Sequence, residues 1–368
     1  PMMLSSIPAG NIPIRNFRDG DFPTLDKITA TAIKDTIRVG MEGCYACVVR
    51  CKKVVKVDEP GLTIDPAYGG PEYETLAMMG SNCLIDNLPA VLRLNELANR
   101  LGIDTIETGA VVAFTMELFE KELIGSKELG SLSLNWGNAE GAEALIRMIV
   151  AREGFGDILA EGLKVAAEKI GGVAIEYAIQ SNNMAIPAHD PRAYASLALG
   201  YSTSDHGPSH TDSFSFWFER GSTFPEIGIE KVMDRFQSEG KAEMVVKVQN
   251  VMNLWENLAL CKFTVIGGVQ LQHIRNWLKD ICGWDLSIPD LIEVGERSFN
   301  LKRKLNVAWG MSRKEDTLPL RILTHRVSDG GAGSHLPPFN VLLADYYEKR
   351  GWGKEGIPTE ETYKRLKI

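Results

Sequence analysis

The feature that most constrains this chain is a run of three cysteines, Cys44, Cys47 and Cys51, in the pattern C-x2-C-x3-C. Thiolates at this spacing can converge on one metal centre from a tight loop. Three buried structural thiols are the plainer alternative, since unpaired cysteine is commonly buried. Three within eight residues nevertheless fit that explanation poorly. Zinc sites usually present two separated ligand pairs, and the sequence holds no second C-x2-C, so an iron–sulfur cluster is favoured over zinc. Three thiolates leave one iron of a [4Fe–4S] cubane to be bound from elsewhere. Cys83, Cys261 and Cys282 are the remaining candidates, and spacing alone does not choose among them. Arg50, Lys52 and Lys53 flank the loop, where they offset the charge of thiolates and cluster or solvate the surface.

The six cysteines do not form the evenly spread pairs of a small secreted disulfide framework; clustered thiols suit a reduced, cytoplasmic protein. A length of 368 residues with 44% hydrophobic content allows two packed domains. The formal net charge of -8 argues against nucleic-acid binding by the chain as a whole. No run of about 20 apolar residues predicts a membrane span. The first residues, Pro1 to Ser5, lack a basic region followed by an apolar stretch, so no signal peptide is expected.

Hydrophobic periodicity is mostly helical. Leu recurs at helical spacing from Leu88 to Leu101, and Gly102 is a usual stop. Ala110–Glu122 and Ala139–Arg152 read as amphipathic helices with charges outward. Asp157 is placed to cap a helix that runs to Gly171. Residues 181–212 differ: Asn, Pro, His, Asp and Ser concentrate there with little periodicity, as in loops that carry chemistry. Helical patterns resume at Ile229–Lys262, Val269–Cys282 and Ile288–Leu305, followed by loops around 328–338 and a short helix after Pro358. Strand signals are few. The expected fold is mainly α, with one helical domain over 1–178 and a second over 179–368.

Several segments together resemble the tungsten- or molybdenum-containing aldehyde:ferredoxin oxidoreductases. Besides the cysteine loop, they are Gly70–Leu76, Asn95–Gly109, Arg152–Gly162, Pro187–Arg192, Leu258–Phe263, Gly295–Arg297 and Gly351–Thr359. They occur in family order along nearly the whole chain. The resemblance implies the family's second and third domains, with a [4Fe–4S] cluster and a bis-pterin metal site between them. It also implies the fourth cluster ligand. The family's second pterin motif, D-x-x-G-L-C, ends on the cysteine that completes the cluster, and here that segment is Glu256–Cys261. Cys261 is therefore expected to be the ligand, and Cys83 and Cys282 to be buried thiols. Glu256 replaces Asp in this motif, Ala259 replaces Gly, and Leu260 keeps its place. The first motif, D-x-x-G-L-D, falls on Asn99–Asp104. Asp104 is retained and Asn99 replaces an acid, which weakens the fork that a carboxylate offers a pterin's adjacent N–H donors. From the residues alone Asp104 reads first as a helix cap after Gly102, and the resemblance reverses that preference.

The resemblance also marks Glu72, Glu74 and His210 as candidates for the chemistry, along with His189, which stands where some members have Tyr. A Glu is suited to take a proton from attacking water, and a His to polarise a carbonyl. The neighbouring Asp190 and Asp205 offer an ordinary alternative, in which the histidines only bond within their loops. The implied activity is oxidation of an aldehyde or related carbonyl to a carboxylic acid at a tungsten (or molybdenum) bis-pterin, with electrons leaving through the cluster to ferredoxin. The competing readings are an electron-transfer or scaffold protein that carries only the cluster, and a non-aldehyde member such as an aromatic acyl-thioester reductase. Family members carry an N-terminal β-rich domain beneath the cofactor, and no part of this sequence corresponds to it. That domain is expected from a longer enzyme or from a separate chain, and a homodimer is the expected assembly for the chain itself.

Overall fold

The computed structural model describes residues 2–327, 331–333 and 335–368. Residues 328–330 and 334 of the expected late loop thus lie outside the described residues. Helices dominate, and the only strands among the described residues are short antiparallel hairpins. The chain divides into two compact units, Pro1–Ala193 with Pro319–Leu336, and Tyr194–Leu318 with Pro337–Ile368. These units differ from a single cut after residue 178, because residues 179–193 and the returning stretch 319–336 pack with the first unit.

In the first unit, β1 (Arg38–Glu42) pairs with β2 (Lys52–Val55), and β3 (Val57–Glu59) with β4 (Leu62–Ile64). The helices that matter for the site are α1 (Tyr73–Met78), α2 (Leu88–Leu101), α3 (Thr105–Glu120) and α4 (Ala139–Ala151). Helix α2 ends where the sequence places it: Gly102 takes a left-handed φ of 67° and its N–H reaches the carbonyl of Asn99. Helix α3 differs from expectation. Every residue from Thr108 to Leu118 is buried, so it has no charged outer face and forms the centre of this unit. Its one acid in that stretch, Glu117, is fully buried and answered by a two-pronged contact from Arg321 (2.7 and 2.8 Å) and by Asn16 (2.7 Å). Gly109 permits the approach of α1 to α3; a Cβ there would stand 2.6 Å from the carbonyl carbon of Met78.

Asp157 does not cap a long helix. The stretch forms two short helices, Phe155–Leu159 and Leu163–Ile170, each preceded by a glycine with positive φ. Asp157 lies inside the first and pairs with Arg152 at 2.9 Å.

In the second unit, residues 194–213 hold two short helices, α5 (Ser196–Ser202) and α6 (His210–Ser213). Longer helices follow: α7 (Lys241–Asn257), α8 (Leu271–Cys282), α9 (Ile288–Ala308) and α10 (Phe339–Arg350). The helical pattern expected from Ile229 begins only at Lys241. Phe224 and Ile229 form an isolated bridge, and Lys241 is fully buried against Glu219. The core is built on α7, where Met244, Val248, Val251, Met252 and Trp255 meet Phe214, Phe218, Leu271 and Leu291. Gly295 lets α9 cross α7 in contact, since a Cβ there would sit 1.8 Å from the carbonyl oxygen of Asn250.

Candidate functional site

The cysteine loop is the connection of the β1–β2 hairpin. Register pairing Glu42 with Lys52 brings the loop's two ends together. Cys44 begins a turn in which the Cys47 N–H donates to its carbonyl (3.0 Å), and Ala46 and Arg50 adopt left-handed φ values. The Arg50 guanidinium donates to the Met41 carbonyl at 2.8 Å, which braces the loop. Cys44 and Cys51 are exposed and Cys47 is half-buried. Tyr45 and Val48 between them are almost wholly exposed. Accessible thiols on a braced hairpin loop, with arginine and lysine beside them, are a donor set suited to an iron–sulfur cluster. Lys53 has another partner as well: it pairs with Glu72 at 2.9 Å.

The structure separates the remaining cysteines. Cys83 is buried, with its thiol donating toward the Met78 carbonyl, and burial pushes its pKa up. Cys282 was expected to be buried but is exposed. It is the last residue of α8, beside the exposed Ile281 and Trp284. Cys261 is exposed, in the turn after α7.

That turn is a Schellman ending. The Leu260 N–H donates to Trp255 (2.9 Å) and the Ala259 N–H to Glu256 (2.9 Å), with Ala259 itself at φ 53°. Where the family pattern has glycine, this chain therefore puts an alanine into a left-handed conformation. Leu260 packs on the core around Trp255. The Glu256 carboxylate accepts from Lys262 (2.5 Å) on one oxygen and from Lys302 (2.6 Å) on the other. Burial pushes Glu256 up, but bonds to the two lysines and their charge outweigh it and hold the group below the usual carboxylate range. Lys262 also reaches Asp212 (2.9 Å), Lys302 reaches Asp205 (2.8 Å), and His206 Nδ1 lies 2.6 Å from Asp205 and 3.3 Å from Asp212. Bonding to Asp205 raises the pKa of His206 against the effect of its burial. Three carboxylates thus face two lysines and an imidazole whose charged form Asp205 favours, so the group is internally ion-paired. Asp205 is thus an ion-pair partner of His206, as the ordinary reading of the loop expected.

In the first unit, Asp104 and Asn99 are both exposed. Asp104 is the N-cap of α3: its Oδ1 accepts the Glu107 N–H at 2.7 Å. A carboxylate keeps further acceptor capacity after one cap bond. Asn99 donates back to the Asn95 carbonyl at 2.8 Å.

The two glutamates at the start of α1, Glu72 just before it and Glu74 in its first turn, part company. Glu72 is exposed and bound to Lys53. Glu74 is largely buried; its Oε2 accepts the Ala188 N–H at 2.7 Å, and its Oε1 lies 3.9 Å from His189 Nε2. Burial pushes Glu74 up to about 8; the Ala188 bond works against this and the charge of Asp104 adds to it. His189 is fully buried and stacks on Tyr73, the rings 4.7 Å apart. Asp190 is not its partner, because that carboxylate is forked onto Arg192 at 3.0 and 2.6 Å. In the second unit His210 opens α6, edge-on to Phe216 at 6.1 Å. Burial and the charge of Lys262 lower it to about 4, so the ring is neutral at neutral pH.

A family model described as aldehyde ferredoxin oxidoreductase, domains 2 and 3, matches residues 2–368. The chain belongs to this family. Among curated relatives, a tungsten-containing aldehyde ferredoxin oxidoreductase of Pyrococcus furiosus is 34% identical over 357 residues, covering 96% of this chain and 56% of that protein. One of Pyrococcus abyssi is 34% identical over 363 residues, covering 97% of this chain and 57% of that protein. A Pyrococcus furiosus protein named aliphatic sulfonate oxidoreductase, WOR-like subunit, is 27% identical over 342 residues, covering 88% of this chain and 50% of that protein. The chain thus spans between half and three fifths of the length of these relatives. The solved active-site complex BamBC of benzoyl coenzyme A reductase, bound to 1,5-dienoyl-CoA, superposes with a TM-score of 0.72 over 98% of this chain and 58% of that one; at 22% identity it shows a shared fold. The mainly helical architecture is that of domains 2 and 3 of the aldehyde ferredoxin oxidoreductase family.

Four residues that contact the candidate residues were not singled out by sequence. Lys262 and Lys302 hold Glu256, and Asn11 and Tyr73 contact His189. Tyr73 and Lys262 lie within motifs already noted, whereas Asn11 is some 60 residues from any of the candidate acids and gives no local signal.

Proposed function

We propose that this chain is the cluster-bearing part of an oxidoreductase that converts an aldehyde or related carbonyl to a carboxylic acid. Cys44, Cys47, Cys51 and Cys261 would hold a [4Fe–4S] cluster. Asp104, Glu256, Asn99 and the backbone at Leu260 would border a tungsten (or molybdenum) bis-pterin. The reaction takes one water and releases two protons and two electrons. The metal–pterin would supply the two-electron acceptor, and the cluster the one-electron outlet to a cytoplasmic ferredoxin. The domain that completes the site in full-length relatives would come from the remainder of a longer enzyme or from another chain.

The observation that carries this reading is the exposed thiol loop in a chain that matches a redox family along its whole length. The acid–base groups support it. His210, neutral at neutral pH, is fit to hydrogen-bond a carbonyl oxygen. Glu74, at about 8, keeps its proton in roughly nine of ten molecules at pH 7. If its ionised form takes the proton from water, kcat/KM rises with pH until about 8 and then levels.

The test is elemental analysis of the protein as isolated, with aldehyde-dependent reduction of a viologen dye. About four irons with one tungsten or molybdenum, plus dye reduction that His210→Asn abolishes without metal loss, is the expected result. Normal turnover by His210→Asn rejects the role of that histidine. Iron with neither heavier metal favours the second reading, an electron-transfer protein. The observation on that side is that Glu256 already holds two lysines and that Asn99 replaces an acid. Reduction of an aromatic acyl thioester in place of aldehyde oxidation identifies the non-aldehyde reading.

A further inference from the structure

We propose that Asn11 is a positioning residue that holds His189 in the neutral tautomer carrying its proton on Nε2. The inference rests on the proposed function above together with the resemblance's marking of His189 as a candidate for its chemistry.

Asn11 is fully buried. Its Oδ1 accepts the backbone N–H of Asp190 at 3.1 Å. That bond fixes which way the amide points, because only the oxygen can face an N–H. The Nδ2 group is therefore the one presented to His189 Nδ1, at 2.8 Å. An amide NH2 only donates, so Nδ1 must accept, and an imidazole nitrogen that accepts carries no proton. The single proton of the neutral ring is left on Nε2. An imidazolium would set two donors face to face at Nδ1, so the same contact opposes protonation of the ring.

The surroundings keep this arrangement rigid. The Tyr73 ring stacks on the imidazole with 16° between the planes, and its hydroxyl reaches the carbonyls of Ala188 (2.8 Å) and Asn11 (3.1 Å). One tyrosine thus packs on the ring and ties the two backbone segments whose registry sets the Asn11 contact. The segment is also held from the other side, because Glu74 Oε2 accepts the Ala188 N–H. Asp190, the carboxylate that could have imposed the opposite tautomer, is committed to Arg192 by the Nε and Nη2 bonds and by the Arg192 backbone N–H at 2.8 Å. Nε2 faces the side of the ring where Glu74 Oε1 stands. His189 is thereby a neutral hydrogen-bond donor, the form that polarises a carbonyl oxygen without placing a full positive charge beside it.

The experiment is long-range proton–nitrogen NMR on the full chain labelled with 15N-histidine, in neutral buffer, with the His189 signals identified by their loss in His189→Gln. The expected pattern has the proton on Nε2 and an unprotonated Nδ1. Asn11→Asp retains the acceptor for the Asp190 N–H and nearly the same shape but offers an acceptor to Nδ1. It is expected to move the proton to Nδ1 or to charge the ring. A wild-type spectrum with the proton on Nδ1, or an Asn11→Asp spectrum unchanged from wild type in a folded protein, overturns the proposal. If Asn11→Asp does not fold, the wild-type spectrum alone decides. This readout needs no turnover, so it stands or falls separately from the proposed aldehyde chemistry.

Discussion

Ala259→Gly should stabilise the second unit by about 1 kcal/mol. Ala259 occupies the left-handed position of the Schellman turn that ends α7, at φ 53°. An L-residue with a Cβ is disfavoured there by about 1–2 kcal/mol, whereas glycine is not. Ala259 is exposed, so removing its methyl forfeits no core packing. Against the gain stands glycine's greater freedom in the unfolded chain, worth roughly 0.5–1 kcal/mol. The net of about 1 kcal/mol corresponds to a rise of about 2–4 °C in Tm for a cooperative unit of this size. Differential scanning calorimetry of the full chain reads it directly. Ala259→Val is the matched control. A β-branched side chain fits the left-handed region still less well than alanine, so its Tm should fall. A Tm for Ala259→Gly that is unchanged or lower, with Ala259→Val no worse than wild type, refutes the reasoning. The position also bears on the proposed cluster ligand, since Cys261 leaves the same turn two residues later.

Other outcomes follow from the same geometry. Cys261→Ser should lower iron content and alter the cluster's EPR signal, whereas Cys282→Ser, at the exposed end of α8, should do neither; the reverse result transfers the ligand role to Cys282. Glu74→Gln keeps an acceptor for the Ala188 N–H but cannot titrate. The wild-type carboxyl binds its proton more tightly folded than unfolded, so its contribution is complete below pH 4.5 and is lost as pH rises through about 8, by up to about 5 kcal/mol. Stability of the wild type should therefore fall more steeply than that of the variant between pH 5 and pH 9, as measured by urea denaturation; parallel slopes would contradict the shift. Arg321→Ala should cost the first unit about 3–5 kcal/mol, because it removes the two-pronged partner of the buried Glu117 side chain, and Glu117→Gln in the same background should recover part of the loss.

The limits of sequence reading show in particular residues. Helix α2 and its glycine stop were legible because periodicity and a left-handed cap are local properties. Helix α3 was read with an outward face because Glu117 looks like a surface charge until Arg321, 204 residues away, is brought against it. Helix α7 starts later than its pattern, because Lys241 and the stretch before it are fixed by tertiary partners. The Glu-Tyr-Glu segment offered two acids without a means of choosing between them. Folding exposes Glu72 to Lys53 and buries Glu74 against the Ala188 backbone, and only burial gives the second a proton at neutral pH.

The sequence by itself determined the cysteine loop, the mainly helical fold and the family, because thiol spacing, hydrophobic period and ordered motifs are written along the chain. The tertiary structure alone decided that the loop rides on a hairpin turn, that Cys282 lies at the surface, that Ala259 bears a glycine's conformation, and that Asn11 faces His189. Exposure, charge state and tautomer depend on which distant groups share a site. Those are set by packing across the chain, and no local spacing encodes them.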